Sequence, residues 1–237
     1  MSDALVLLPD VLTDVRLWQH QVLAFAAERP VTVAPVHLGD RIEEVASALL
    51  SQLPSRMAVA GAGFGAMVAL ELMRRAPDRV LRIALCGATP LADTPSQAAA
   101  REERMIAARA GRLDDVIGEE ITLAGLASDP ARRLETRAEI LAMGRALGAE
   151  AYVRCQKMLQ RRRDQQAAIR RAKLPVLVLA GREDRLYPPA RHEFTAGLIP
   201  YAELALIDGA GHWPMLDAPD AVTEALRGWL SRPIMLR

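Results

Sequence analysis

The feature that most narrows what this chain can fold into is a run of small residues between an apolar segment and a helical pattern. Met57 to Ala60 reads as a short buried strand. Gly61, Ala62, Gly63, Gly65 and Ala66 then bracket a single bulky Phe64, and Met67 to Arg75 continues rich in Ala, Leu and Met. A turn of that composition lets the backbones of a strand and the following helix nearly touch, which larger side chains would prevent. A strand, a tight turn and a helix in that order form a unit of sheets whose crossovers are helical.

The same alternation runs along most of the chain. Leu5 to Leu8, Val31 to Ala34, Met57 to Ala60, Val80 to Cys86 and Val176 to Ala180 are short continuous apolar runs, and Glu203 to Ile207 is a more alternating sixth. Runs of this length bounded by Gly, Pro or Asp suit strands covered on both faces, as in parallel sheets. Helical spacing appears over Leu17 to Glu28, Ile42 to Leu53 and Gly65 to Arg75. The expected class is α/β, a mostly parallel sheet flanked by helices. Between Thr89 and Lys173 the strand signal disappears. Arginine-rich helical segments such as Ser96 to Ala110, Ala131 to Leu147 and Ala149 to Arg163 fill the gap. This predicts a core split into residues 1–88 and 173–237 with a helical insertion over 89–172. The Arg161-Arg162-Arg163 run within it reads as a solvated helix face.

Composition excludes several classes. The 237 residues carry 30 Lys+Arg against 29 Asp+Glu, with 51% hydrophobic and 25% charged residues, as in an ordinary globular chain. A net charge of +1 gives no general attraction to phosphate backbones, so no nucleic-acid partner is expected. The first residues lack a basic n-region and a long apolar stretch, so neither a signal peptide nor a membrane partner is expected. Two cysteines, Cys86 and Cys155, are too few and too scattered for a disulfide framework or a metal site. The chain therefore reads as cytoplasmic and free of cofactor and metal. Its oligomeric state is left open.

The small-residue turn admits two chemical readings. Gly61-x-Gly63-x-x-Ala66 matches a dinucleotide fingerprint, but the next strand ends at Cys86-Gly87-Ala88 with no carboxylate for a ribose, and the turn follows the third strand rather than the first. The alternative is a nucleophile elbow, in which a small-x-nucleophile-x-small turn lifts one side chain above the sheet. Four segments in order then resemble the α/β-hydrolase superfamily, in particular its compact bacterial members with a helical cap. Leu7-Leu8-Pro9-Asp10 with Trp18 and Gln21 resembles the first loop, and Ala69 to Leu72 with Pro77-Asp78-Arg79-Val80 resembles the helix and turn after the elbow. Gly181 to Pro189 resembles the acid loop and Gly209 to Pro219 the histidine loop.

The resemblance implies a catalytic acid at Asp184, a histidine at His212 and a nucleophile at position 63, where this chain has glycine. Glycine offers no attacking atom, so no acyl-enzyme can form there. It does relieve the strained backbone that an elbow imposes. The resemblance also places an oxyanion hole at the backbone N–H groups of Val11 and Phe64, with Asp10 where relatives usually carry glycine. Asp10 and Trp213 are the candidate substrate-binding positions. His20, His37 and His192 have no such context and read as surface or packing, and no serine is expected beside a site loop.

Three functions follow. The first is hydrolysis of a small-molecule ester or acyl compound, with a water seated in the space a missing hydroxymethyl leaves and activated by the His212–Asp184 dyad. The second is a non-catalytic ligand-binding protein; the glycine-rich turn also resembles that of the N-myc downstream-regulated proteins, which share this fold without its nucleophile. The third is lyase or cofactor-free oxygenase chemistry by the dyad alone.

Overall fold

A computed structural model describes residues 3–234. Six strands form one sheet: β1 (Ala4–Leu8), β2 (Val31–Val33), β3 (Met57–Ala62), β4 (Val80–Cys86), β5 (Val176–Gly181) and β6 (Glu203–Ile207). They lie in the order β2-β1-β3-β4-β5-β6, and every neighbouring pair is parallel. The runs read from sequence are these strands, and β1, β3, β4 and β5 are buried along their whole length. Helices cover both faces of such a sheet, so continuous apolar runs replace alternation. Strand order reverses direction after β2, which brings the carboxyl ends of β1 and β3 side by side, with Leu8 opposite Gly61. That is where α/β sheets place their ligands.

Helices α1 (Gln19–Phe25), α2 (Ile42–Leu50) and α3 (Phe64–Arg75) connect the first four strands, with a 3-10 turn at Val15–Trp18 before α1. The predicted helix from Leu17 is thus split: Asp14 caps the 3-10 turn and Trp18 anchors the junction by donating its indole N–H to the Leu8 carbonyl. Between β4 and β5 lie α4 (Pro95–Arg109), α5 (Leu113–Ala124), α6 (Pro130–Gln160) and α7 (Gln166–Ile169). Gly148, at φ 79 and ψ 170, breaks α6 into the two helices that the sequence spacing suggests. The chain closes with α8 (Pro189–Gly197), α9 (Pro214–Asp217) and α10 (Pro219–Ser231).

The arginine run is not a uniform solvated face. Arg161 and Arg163 are exposed, but Arg162 is buried and pairs at 2.7 Å with the Asp93 carboxylate, whose side chain is buried and which Arg101 also contacts at 2.5 Å. Asp93 sits in the β4–α4 connection, so a carboxylate far away in sequence turns the middle arginine inward. Removing charges from water is costly unless they are paired.

Candidate active site

Each proposed site residue sits just beyond a strand's carboxyl end. Asp10 follows β1, Gly63 follows β3, Asp184 follows β5 and His212 follows β6. Gly63 has φ 46 and ψ −110, a left-handed backbone that a residue with a Cβ adopts only under strain. Two residues on, a Cβ on Gly65 would stand 2.5 Å from the carbonyls of Leu8 and Pro9. The small residues of the turn thus allow α3 to begin directly against the end of β1.

The structure brings Asp10, Val11, Gly63, Phe64, Asp184, His212 and Trp213 together. Asp10 is buried and its carboxylate points inward. Oδ1 accepts from the backbone N–H of Val11 and of Phe64, each at 2.8 Å. Oδ2 accepts from the Trp213 indole N–H at 3.1 Å and lies 3.5 Å from His212 Nε2. A Cβ on Gly63 would collide with this carboxylate. The water site expected at position 63 is therefore corrected: the Asp10 carboxylate fills that space. Asp10 and Trp213, the expected substrate-binding positions, both line the site cavity; Asp10 in addition accepts from the chain's own amides, and Trp213 holds Asp10 in place.

On its other side His212 meets Asp184, with Nδ1 at 2.9 Å from Oδ2. The second Asp184 oxygen accepts from the Tyr187 backbone N–H at 2.9 Å. His192, read from sequence as surface or packing, is fully buried with Nε2 3.5 Å from Asp184 Oδ2. No spacing signal links it to Asp184, because α8 carries it back against the acid loop only in three dimensions. His37 is buried too, with Nε2 3.2 Å from the Asp10 carbonyl.

These contacts set the charges. Burial pushes the Asp10 carboxyl up, but the hydrogen bond and charge of His212 and the Phe64 and Val11 amides hold it below the ordinary value. Burial likewise opposes ionisation of Asp184, yet His212 and its other donors bring it down to about 2. Burial would depress the His212 imidazolium, and the two carboxylates, the Asp184 charge foremost, overcome that and hold it well above the ordinary histidine value. The two carboxylates thus favour a charged ring between them.

The site opens into a cavity of about 50 Å³ between these loops and the helices between β4 and β5. Its walls include Leu12, Met67, Leu159, Leu186 and Tyr187, with Arg101, Glu120 and Gln156 as polar members. A larger groove of about 700 Å³ lies elsewhere, between α2–α3 and the α6–α7 corner, and holds none of the Asp10, His212, Asp184 set. Among the described residues no cluster of three potential metal ligands occurs, and no helix is long and apolar enough to cross a membrane.

The helices between β4 and β5 are tied to these loops. The His212 backbone N–H donates to the Gly125 carbonyl at 3.2 Å, and that of Arg185 to Ala124 at 3.0 Å. The Thr136 hydroxyl donates to Asp217 Oδ1 at 2.7 Å, while Asp217 Oδ2 accepts from Gly211 N–H at 2.8 Å. Ser128, contrary to the expectation that no serine lies beside a site loop, borders the histidine loop and donates its backbone N–H to the Gly209 carbonyl at 3.0 Å.

Comparison with known proteins agrees with this fold. The chain is 32% identical over 214 residues to pimeloyl-(acyl-carrier protein) methyl ester esterase of Aromatoleum aromaticum, covering 80% of this chain and 82% of that protein. It is 27% identical over 187 residues to the protein of the same name from Nitrosomonas europaea, covering 76% and 74%. Its fold resembles that of a thermophilic esterase from Thermogutta terrifontis (TM-score 0.87, 23% identity, 97% of this chain and 90% of that one). It also resembles the enol-lactonase of Burkholderia xenovorans LB400 (TM-score 0.86, 22% identity, 98% and 92%). A family model described as the alpha/beta hydrolase family matches residues 7–225, and with the parallel sheet and strand-end loops in place, the chain belongs to that family.

Proposed function

We propose that the chain hydrolyses a small-molecule ester or acyl compound in the cavity beneath a helical cap formed by residues 89–172. The observation that carries this reading is the line Asp184, His212, Asp10, which ends on two backbone N–H groups converging on one oxygen. Such a pair of donors suits the oxyanion of an ester undergoing attack, and each donor is worth about 2.7–4 kcal/mol in comparable sites. The ester class is also that of the curated relatives' names.

With no side chain at position 63, the attacking group is water. An ester carbonyl enters the hole when Asp10 rotates out of it. That movement also takes one of the two carboxylates from His212, whose pKa then falls toward the ordinary range and frees Nε2 to accept the water's proton. Asp184 orients the ring throughout. No cofactor, metal, nucleic acid or membrane enters this reading.

Hydrolysis of a short-chain aryl ester by the unmodified chain and by His212→Ala tests it. Loss of turnover in the variant is expected, and unchanged turnover overturns the reading. The filled hole also favours a ligand-binding protein. A ligand that raises the melting temperature and is never turned over, together with no ester hydrolysis, would select that second reading.

A further inference from the structure

The helices between β4 and β5 give the site cavity a polar wall. Arg101 from α4, Glu120 from α5 and Gln156 from α6 all line it, alongside the apolar Leu12, Met67 and Leu159. The two oxygens of Glu120 are used unequally. Oε1 accepts from the Tyr152 hydroxyl at 2.7 Å, from Gln156 Nε2 at 2.8 Å and from Arg104 Nε at 3.1 Å, whereas Oε2 accepts no hydrogen bond among the described residues. Tyr152 and Gln156 are themselves buried, so the carboxylate is clamped in one orientation with one oxygen to spare. Arg101 is also only partly engaged. Nε and Nη2 donate to the two oxygens of Asp93 and Nη1 donates to Gln156 Oε1, which leaves two of the five N–H groups of its guanidinium without a partner.

We propose that Glu120 and Arg101 form a specificity subsite for a short, neutral carboxamide at the end of the ligand remote from its reacting carbonyl. The ligand's N–H meets Glu120 Oε2 and its C=O meets an Arg101 N–H. Gln156 already shows this pairing within the protein: the oxygen of its carboxamide accepts from Arg101 and the nitrogen donates to Glu120. A ligand carboxamide repeats that pattern on the atoms Gln156 leaves unused. The inference rests on the ester reading for the reacting end and concerns only the other end.

Other tails suit the wall less well. An alkyl tail displaces water from Oε2 and returns no hydrogen bond, so a charged acceptor is left unpaired. A carboxylate tail sets a second negative charge against Glu120, and an ammonium tail sets a positive one against Arg101 and Arg104. The carboxamide avoids both repulsions and satisfies both groups. Sites that hydrogen-bond a ligand group reject the analogue lacking it far more strongly than an apolar pocket rejects a methylene. A cavity of about 50 Å³ keeps the tail short.

Ethyl succinamate and ethyl 4-methylpentanoate form a matched pair for the test, the second carrying an isopropyl group in place of the carboxamide. Their dissociation constants are measured by calorimetry on His212→Ala, so that no turnover intervenes. The succinamate is expected to bind at least about tenfold more tightly. Glu120→Gln in the same background keeps an acceptor for the three clamping donors and puts an amide nitrogen where Oε2 stood. It is expected to lower that preference by about tenfold. A merely structural Glu120 would weaken both esters together and leave their ratio as it was. An unchanged ratio in the folded double variant therefore overturns the proposal, as does equal or undetectable affinity of the two esters for His212→Ala, a result that needs no change at Glu120. Tighter binding of monoethyl succinate than of the succinamate overturns it too, as the mark of a purely cationic wall. Turnover of the same esters by the unmodified protein is read separately: if neither is hydrolysed while the binding preference holds, the ester reading fails and the subsite stands.

Discussion

The carboxylate of Asp10 occupies the place where a side chain at residue 63 would begin, although the two residues belong to different strand-end loops. Position 63 is consequently not an empty slot. Whatever is placed there must first displace a carboxylate that accepts three N–H hydrogen bonds. Hydrogen bonds to charged groups contribute about 1.5–3 kcal/mol each.

Gly63→Ser alone is therefore expected to be destabilised by about 2–4 kcal/mol, from overpacking and a positive φ together. It should not react with a fluorophosphonate. Asp10→Gly combined with Gly63→Ser removes the collision and leaves the two amides free, and should label. Melting temperature and labelling of the two proteins, measured side by side, check this; labelling of the single variant would count against it.

Asp10 and Asp184 together raise the His212 pKa, and the imidazolium stabilises the fold where it is charged. Its folded value lies above the ordinary 6.5, so its contribution is complete below about that pH and is lost as the pH rises through the raised value. Asp184 acts in the opposite sense: its stabilisation is present above 3.8 and is lost as the pH falls toward about 2. Asp10→Asn is expected to lower the His212 pKa in a histidine NMR titration and move the alkaline loss of stability to lower pH. An unshifted titration would show that Asp10 does not govern the ring.

The buried ion pairs of the helical segment give a third expectation. Asp93→Ala strands Arg101 and Arg162 without their shared carboxylate and should cost about 3–5 kcal/mol. Arg161→Gln and Arg163→Gln, on exposed side chains, should stay within about 0.5 kcal/mol of the parent. Chemical denaturation of the three variants separates them.

Periodicity made the strands legible: five are short apolar runs between turn residues, whose lack of alternation pointed to the parallel class, and β6, at the sheet edge, is the alternating exception. Helix α5 was readable in principle from Leu113, Val116, Ile117, Ile121 and Ala124, yet its lack of an internal arginine sets it apart from the arginine-rich pattern of its neighbours. The resemblance directed attention to Asp10, Gly63, Asp184 and His212. What no spacing could reveal was the direction of the Asp10 side chain. It depends on two loops approaching across the sheet edge, on the Trp213 indole and on a single rotamer choice. The inward turn of Arg162 is hidden for the same reason, because its partner Asp93 is supplied by a distant connection.

The bonds from Ala124, Gly125, Ser128 and Thr136 to the acid and histidine loops have a mechanical consequence. The helices over the cavity cannot lift as a free lid on that side, because raising them would pull on the very loop that carries His212. Any opening on that side carries the His212 loop with it, so admission of a ligand and the placement of the imidazole are mechanically coupled.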